Sequence, residues 1–209
     1  DGDTLSLDSV TQPDHGTVAI NADGSVTYTP EADYTGSDSF TYSISDGAGG
    51  TSTASVSLTV NPENDAPVAV DDTAILNEDA SAVIDVLAND SDLDGIALSV
   101  DSVTQPDHGT VAINADGTVT YTPEANYNGA DSFTYTVSDG AGGLSTASVS
   151  LTVNPENDVP VAVDATAVLD EDTAFAGQLS ASDIDGDSLE YSLSDQGAPE
   201  HGTVAINAD

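Results

Sequence analysis

Apolar and polar residues alternate with a period of two along most of the chain. From 144 to 153, Ala147, Val149, Leu151 and Val153 share one face, and Ser148, Ser150 and Thr152 the other. From 132 to 138, Phe133, Tyr135 and Val137 alternate with Thr134, Thr136 and Ser138. This is the pattern of half-buried strands rather than helices. Val111 and Ile113 mark another strand, and Asn114-Ala115-Asp116-Gly117 predicts a hairpin turn into Val119 and Tyr121. Asp139-Gly140-Ala141-Gly142-Gly143 turns the sixth strand into the seventh. Upstream, Val68 to Ile75, Ala82 to Leu87 and Leu98 to Val103 supply three more strands. Seven short strands, A to G, with apolar-in, polar-out alternation predict an all-β, antiparallel β-sandwich of immunoglobulin-like type.

The pattern repeats. Val10 to Asn21 recurs as Val103 to Asn114, an offset of 93 residues, and residues 1–65 align with 94–158 without a gap, differing at ten positions. His201 to Asn207 repeats His108 to Asn114 at the same offset, so the fold is a tandem array with about 93 residues per repeat. The expected organisation is a partial repeat at 1–63 (strands C to G), a complete repeat at 64–156, and a partial repeat at 157–209 (strands A to D). The chain starts and stops inside repeats, and this predicts a window on a longer array. The linkers Asn61-Pro62-Glu63-Asn64-Asp65-Ala66-Pro67 and Asn154-Pro155-Glu156-Asn157-Asp158-Val159-Pro160 each carry two prolines, which makes them stiff and extended.

Charge narrows the function classes. The chain has 38 Asp plus Glu, no Lys, no Arg and no Cys, for a formal charge of −38. Phosphate neutralisation, the basis of nucleic-acid binding, has no residues to perform it. Attraction to an anionic membrane surface fails for the same reason, and no apolar run approaches the roughly 18 residues of a membrane span. Disulfides and thiolate metal sites are excluded. Asp dominates Glu, which suits acidic turns and hard-cation sites better than helices.

Other features carry less chemistry. Tyr127 fits two readings, a tyrosine corner whose hydroxyl bonds loop backbone and an aromatic plug over the edge of the core. His15, His108 and His201 are one position repeated, each before a Gly, and read as a turn residue rather than a zinc ligand, since zinc needs several ligands together. No nucleophile or catalytic set stands out, so the chain is not expected to be an enzyme.

At Ala66-Pro67-Val68-Ala69-Val70-Asp71-Asp72, Asn77-Glu78-Asp79, Asp92-Leu93-Asp94-Gly95, His108-Gly109-Thr110-Val111, Tyr121-Thr122-Pro123, Asp131-Ser132-Phe133-Thr134-Tyr135 and Ser138-Asp139-Gly140 the chain resembles the bacterial Ig-like, cadherin-like tandem repeats of giant surface adhesins of the RTX-adhesin type. The resemblance implies a secreted protein at the bacterial cell surface and calcium at the domain junctions. Carried over by topology, it implies one ligand set at the first junction: Glu31, Asn64, Asp65, Asp92, Asp94 and Asp139. At the second it implies Glu78, Asp79, Glu124, Asn157, Asp158, Asp183 and Asp185, with Asp187 as an extra candidate. Ile96 stands where Asp187 stands, so the middle repeat has one carboxylate fewer in its BC loop. The chemistry fits: calcium takes six to eight oxygen ligands, and converging carboxylates repel unless a cation sits between them. Asp23 and Asp116, in hairpin turns, read instead as turn caps.

The function expected on this basis is a calcium-stiffened extracellular stalk, or spacer, of a bacterial surface adhesin. Its partners are the neighbouring identical repeats. Two alternatives stay open. One is a self-assembling filament in which copies of the chain complete each other's partial repeats by strand complementation. The other is a carbohydrate- or surface-binding module that uses the Ser and Thr ladders on outward strand faces.

Overall fold

A computed structural model describes residues 4–194 and 199–206. Asp3, which aligns with Asp187, and the last three residues of the third repeat lie outside the described residues. The chain divides within the first linker into one unit ending at Asp65 and a second beginning at Ala66.

The first unit contains β1 (Ser6–Val10), β2 (Gly16–Ile20), β3 (Val26–Pro30), β4 (Gly36–Ser45) and β5 (Thr51–Val60). These are the expected strands C to G. β1, β4 and β5 form one antiparallel sheet, and β2 pairs with β3 in a hairpin. Val18 and Phe40 are its buried apolar residues. Leu7, Val26, Phe40, Tyr42 and Val56 line an open groove of about 220 Å³ where strands A and B lie in the complete repeat.

The second unit begins with β6 (Asp72–Asn77), β7 (Ala82–Ile84), β8 (Ser99–Val103), β9 (Gly109–Ile113), β10 (Val119–Pro123), β11 (Gly129–Ser138) and β12 (Leu144–Asn154). Two sheets result, one ordered β6-β12-β11-β8 and the other β7-β10-β9. Their inward residues form one core: Leu76 and Ile84, with Val86 just beyond β7, Val111, Val119, Tyr121, Phe133, Tyr135, Val137, Ala147, Val149, Leu151 and Val153. The register sets Phe133 opposite Val149 and Tyr135 opposite Ala147, so the alternation read from the sequence delivers every second side chain to the same face.

Two expected strands are shorter than the apolar pattern implied. The run from Val68 to Ile75 divides. Val68 bridges Ser91, whereas β6 starts at Asp72 and runs parallel to β12. The run from Ala82 to Leu87 is a strand only to Ile84, after which the backbone turns, with the Ala88 N–H on the Asp85 carbonyl and the Asp90 N–H on that of Leu87. Periodicity marks which residues face the core, but it does not distinguish a strand from a tight turn that buries the same side chain, as Val86 does.

In the third repeat the described strands are β13 (Val161–Ala162) and β14 (Ala181–Ser182), in place of the four expected. Val168, Phe175 and Leu179 are exposed. In the complete repeat the matching segment packs against β10, β11 and β12, and residues 157–209 include no counterpart of β11 or β12.

Candidate cation site at the linker

The turn after β6 aims two acids at the second linker. Asp79 adopts a left-handed backbone with φ of 61°, a conformation that Asp tolerates better than most residues. Its Oδ1 accepts the Asn126 N–H at 3.1 Å, tying this turn to the loop before β11. Glu78 is buried, 3% exposed. Its Oε1 accepts the Glu156 N–H at 2.7 Å and its Oε2 faces the Asn128 amide at 3.4 Å. The Glu78 N–H in turn donates to the Asn154 carbonyl at 2.9 Å. Glu78 is thereby built into the root of the linker.

Asp158 and Asp185 meet it there. Carboxylate oxygens of Glu78, Asp158 and Asp185 all lie within 4.8 Å of one another. Two oxygens on one calcium ion are at most about 5 Å apart, twice the metal–oxygen distance, so this spacing suits a shared ion. Asp158 Oδ2 is enclosed without a hydrogen-bond partner among the described residues. Burial pushes the Asp158 carboxyl above its usual value, and the charges of Asp79, Asp185, Glu78 and Asp183 push it further. The Asp158 N–H donates to Asp185 Oδ2 at 2.7 Å. Asp183 organises the loop, its Oδ1 accepting the N–H groups of Asp185 at 3.1 Å and Asp187 at 3.3 Å. Asn157 donates its side-chain amide to the Asp158 carbonyl.

Of the residues proposed for the second junction, the structure thus gathers Glu78, Asp158 and Asp185, with Asp79 and Asp183 close enough to act electrostatically. Asp187 is exposed beside them. Glu124 lies with its Oε2 3.9 Å from His108 Nδ1.

The residues proposed for the first junction are distributed over both units. In the first unit, Glu31 lies 3.8 Å from His15, and Asn64 donates to the Asp65 carbonyl at 3.1 Å, the same local bond that Asn157 makes. In the second, Asp92 Oδ1 accepts the Ile96 N–H and its Oδ2 is enclosed without a hydrogen-bond partner. Asp94 is exposed on the same loop. Asp139, 3% exposed, is occupied in folding its own loop, its Oδ1 accepting the N–H groups of Ala141, Gly142 and Gly143.

Sequence reading passed over a second acidic centre. Asp131 accepts hydrogen bonds from the N–H groups of Asp107, His108 and Ser132 and from the Tyr121 hydroxyl, and Asp38 repeats this clasp in the first unit with Asp14, His15, Ser39 and Tyr28. All these donors are protein groups, so the clasp is structural. The repeated His belongs to it. Its ring stacks on Tyr127, with centroids 4.1 Å apart, and the Gly109 that follows lies where a Cβ would stand 2.6 Å from the Thr122 carbonyl oxygen. Tyr127 fills both roles open to it, packing against the core and donating its hydroxyl to the Ala130 carbonyl at 2.7 Å. On the outer sheet face, Thr104 pairs with Thr134 and Thr136 with Thr146, while the rings of Tyr121, Phe133 and Tyr135 point into the core.

Three stretches of the chain, residues 1–59, 64–152 and 157–209, match the model of the Bacterial Ig domain family. The chain belongs to that family, and it is a tandem array of its domains. No curated protein matches it. Among solved structures it is similar to a protocadherin gammaB7 EC3-6 cis-dimer (16% identity, 86% of this chain and 50% of that one, TM-score 0.46). It is also similar to mouse clustered PcdhgC3 EC1-3 (16%, 73% and 56%, TM-score 0.42). A third is an endo-fucoidan hydrolase of glycoside hydrolase family 107 (25%, 74% and 24%, TM-score 0.35). The chain spans about a quarter of the hydrolase and half of the protocadherin gammaB7 fragment. Among the described residues no helix is long and apolar enough to cross a membrane.

Proposed function

We propose that this chain is a calcium-stiffened spacer in an extracellular, RTX-type adhesin of a bacterial surface. The observation that carries the reading is the meeting of buried Glu78 with Asp158 and Asp185 at a proline-bearing linker. Glu78 belongs to the middle repeat, Asp158 to the linker and Asp185 to the next repeat. A cation held by all three joins two domains through their connecting segment. Calcium suits an all-oxygen donor set, and in a chain without Lys or Arg the neutralising charge comes from solution. Asp79, Asp183 and Asp187 keep the surroundings negative, and each unit carries oxygen-bearing side chains in the corresponding places, Glu31, Asn64 and Asp65 in the first and Asp92, Asp94 and Asp139 in the second. No catalytic role is assigned to the chain.

Calorimetry with calcium tests this. Asp158→Asn should lower affinity at the second junction by at least tenfold, while Asp116→Asn, whose side chain bonds Thr118 in a hairpin turn, should leave it unchanged. Equal binding by both variants would refute the assignment. Mass measurement over the same calcium series separates the spacer from the filament reading: a spacer stays monomeric, and strand complementation yields polymers.

A further inference from the structure

The first strand of the complete repeat is anchored around a buried hydroxyl. Tyr135, on β11, is fully buried. Its Oη lies 2.9 Å from the Val70 carbonyl oxygen and 3.2 and 3.3 Å from the two carboxylate oxygens of Asp90. Asp72, the first residue of β6, faces the same hydroxyl. A phenol has one proton to donate. The other donors nearby are committed: the Val70 N–H to Asp90 Oδ1 at 2.8 Å, and the Asn89 amide to the carbonyls of Val70 and Asp71 at 3.2 and 3.3 Å. Asp72 Oδ2 is enclosed without a hydrogen-bond partner among the described residues. Two carboxylates therefore compete for one hydroxyl proton, in a chain that has no Lys or Arg to place between them.

The polar groups around Asp72 come from each neighbouring element. Asp90 and Asn89 follow β7, Tyr135 comes from β11, and Asp71 precedes it on its own segment. β12 opposes it with apolar Val149, while Ser148 is engaged by Asp71.

We propose that a proton held on Asp72, between the two carboxylates and the Tyr135 hydroxyl, pins the linker-proximal end of β6 to the segment after β7. A protonated Asp72 supplies the missing donor, and it removes the repulsion with Asp90. Burial is the largest influence on Asp72 and raises its proton affinity; the charges of Asp90 and Asp71 act in the same sense, and the nearby polar groups of Tyr135 and Asn89 only partly oppose them.

The third repeat fits a paired role. Val161 bridges Ser182 as Val68 bridges Ser91, so the two segments are in equivalent register. In that register Ala165 replaces Asp72 and Ala181 replaces Asp90. Both acids are absent together.

The consequence is a pH-dependent root for the first linker. A folded-state value raised above the unfolded one gives stability that is complete below the unfolded value and lost as pH rises through the folded one. The pin is tight below the ordinary aspartate value and loosens as pH rises through the raised one.

The test is a carboxylate-carbon NMR titration of the 209-residue chain. The Asp72 midpoint should lie above 3.8, the ordinary value for this group. Asp72→Asn, which donates a hydrogen bond at every pH, should melt higher than the unaltered chain at pH 7, and the gain should shrink toward about pH 4. A midpoint at or below 3.8, or an equal or lower melting temperature for Asp72→Asn at pH 7, would overturn the proposal.

Discussion

The Glu78 carboxylate accepts the backbone N–H of Glu156 at 2.7 Å, across 78 residues of sequence. The contact closes the complete repeat, joining the turn after its first strand to the linker that leaves its last. The Asn77 amide reinforces it by donating to Glu156 Oε2 at 2.6 Å. Removing the carboxylate leaves the Glu156 N–H without its partner. Glu78→Ala should cost the middle repeat about 1–3 kcal/mol, the penalty of an unmade buried hydrogen bond, in denaturant unfolding without calcium. In calcium the loss should be larger, because the same side chain belongs to the acidic cluster proposed to hold the ion. An equal loss in both conditions would assign Glu78 a purely structural role.

Asp131 is an acid whose partners are all protein donors. Asp131→Ala removes the acceptor for three backbone N–H groups and the Tyr121 hydroxyl, and Tyr121 is fully buried. Unfolding should become easier by about 1–3 kcal/mol. Calorimetry under folding conditions should give unchanged calcium stoichiometry.

Acid should weaken the complete repeat through a different aspartate. The Ser148 N–H and then its hydroxyl hold the Asp71 carboxyl below its usual value, against a smaller opposing effect of burial. A lowered folded-state value gives stability that is present above the unfolded value of 3.8 and lost as pH falls through the folded one. Melting temperature should therefore fall on acidification below about pH 4, and Asp71→Asn should flatten that limb. Asp72 acts with the opposite sign, so the two variants should change opposite ends of the profile.

The sandwich was legible because its alternation is a local property. Phe133, Tyr135, Val149 and Leu151 each declare their face by their neighbours, and the Gly-rich turns separate the strands. Less legible were features set by partners far along the chain. The parallel pairing of β6 with β12 depends on residues 77 positions apart, as does the Asp71–Ser148 bond. Nothing in the run from Val68 to Ile75 signals where it changes partner. The candidate site divides in the same way. The Asn-Asp linkers and the Asp-x-Asp loop pointed to Asp158 and Asp185, and the expected loop placement brought Glu78 to them. Glu124, a candidate for that junction from its loop, lies beside His108, whose ring stacks on Tyr127. The Asp131 clasp could have been suspected from the return of the same Asp at 38 and 131 beside a repeated Tyr and His. Repetition alone, though, does not tell a ligand from a clasp.

A cation that joins successive repeats must change how far the chain extends, and small-angle scattering in calcium and in chelator, at matched ionic strength, reads this. Calcium should give a longer maximum dimension, chelator a distribution broadened by bending at 61–67 and 154–160, and Asp158→Asn should lose the calcium effect at the second linker. An identical distance distribution in calcium and in chelator would contradict it.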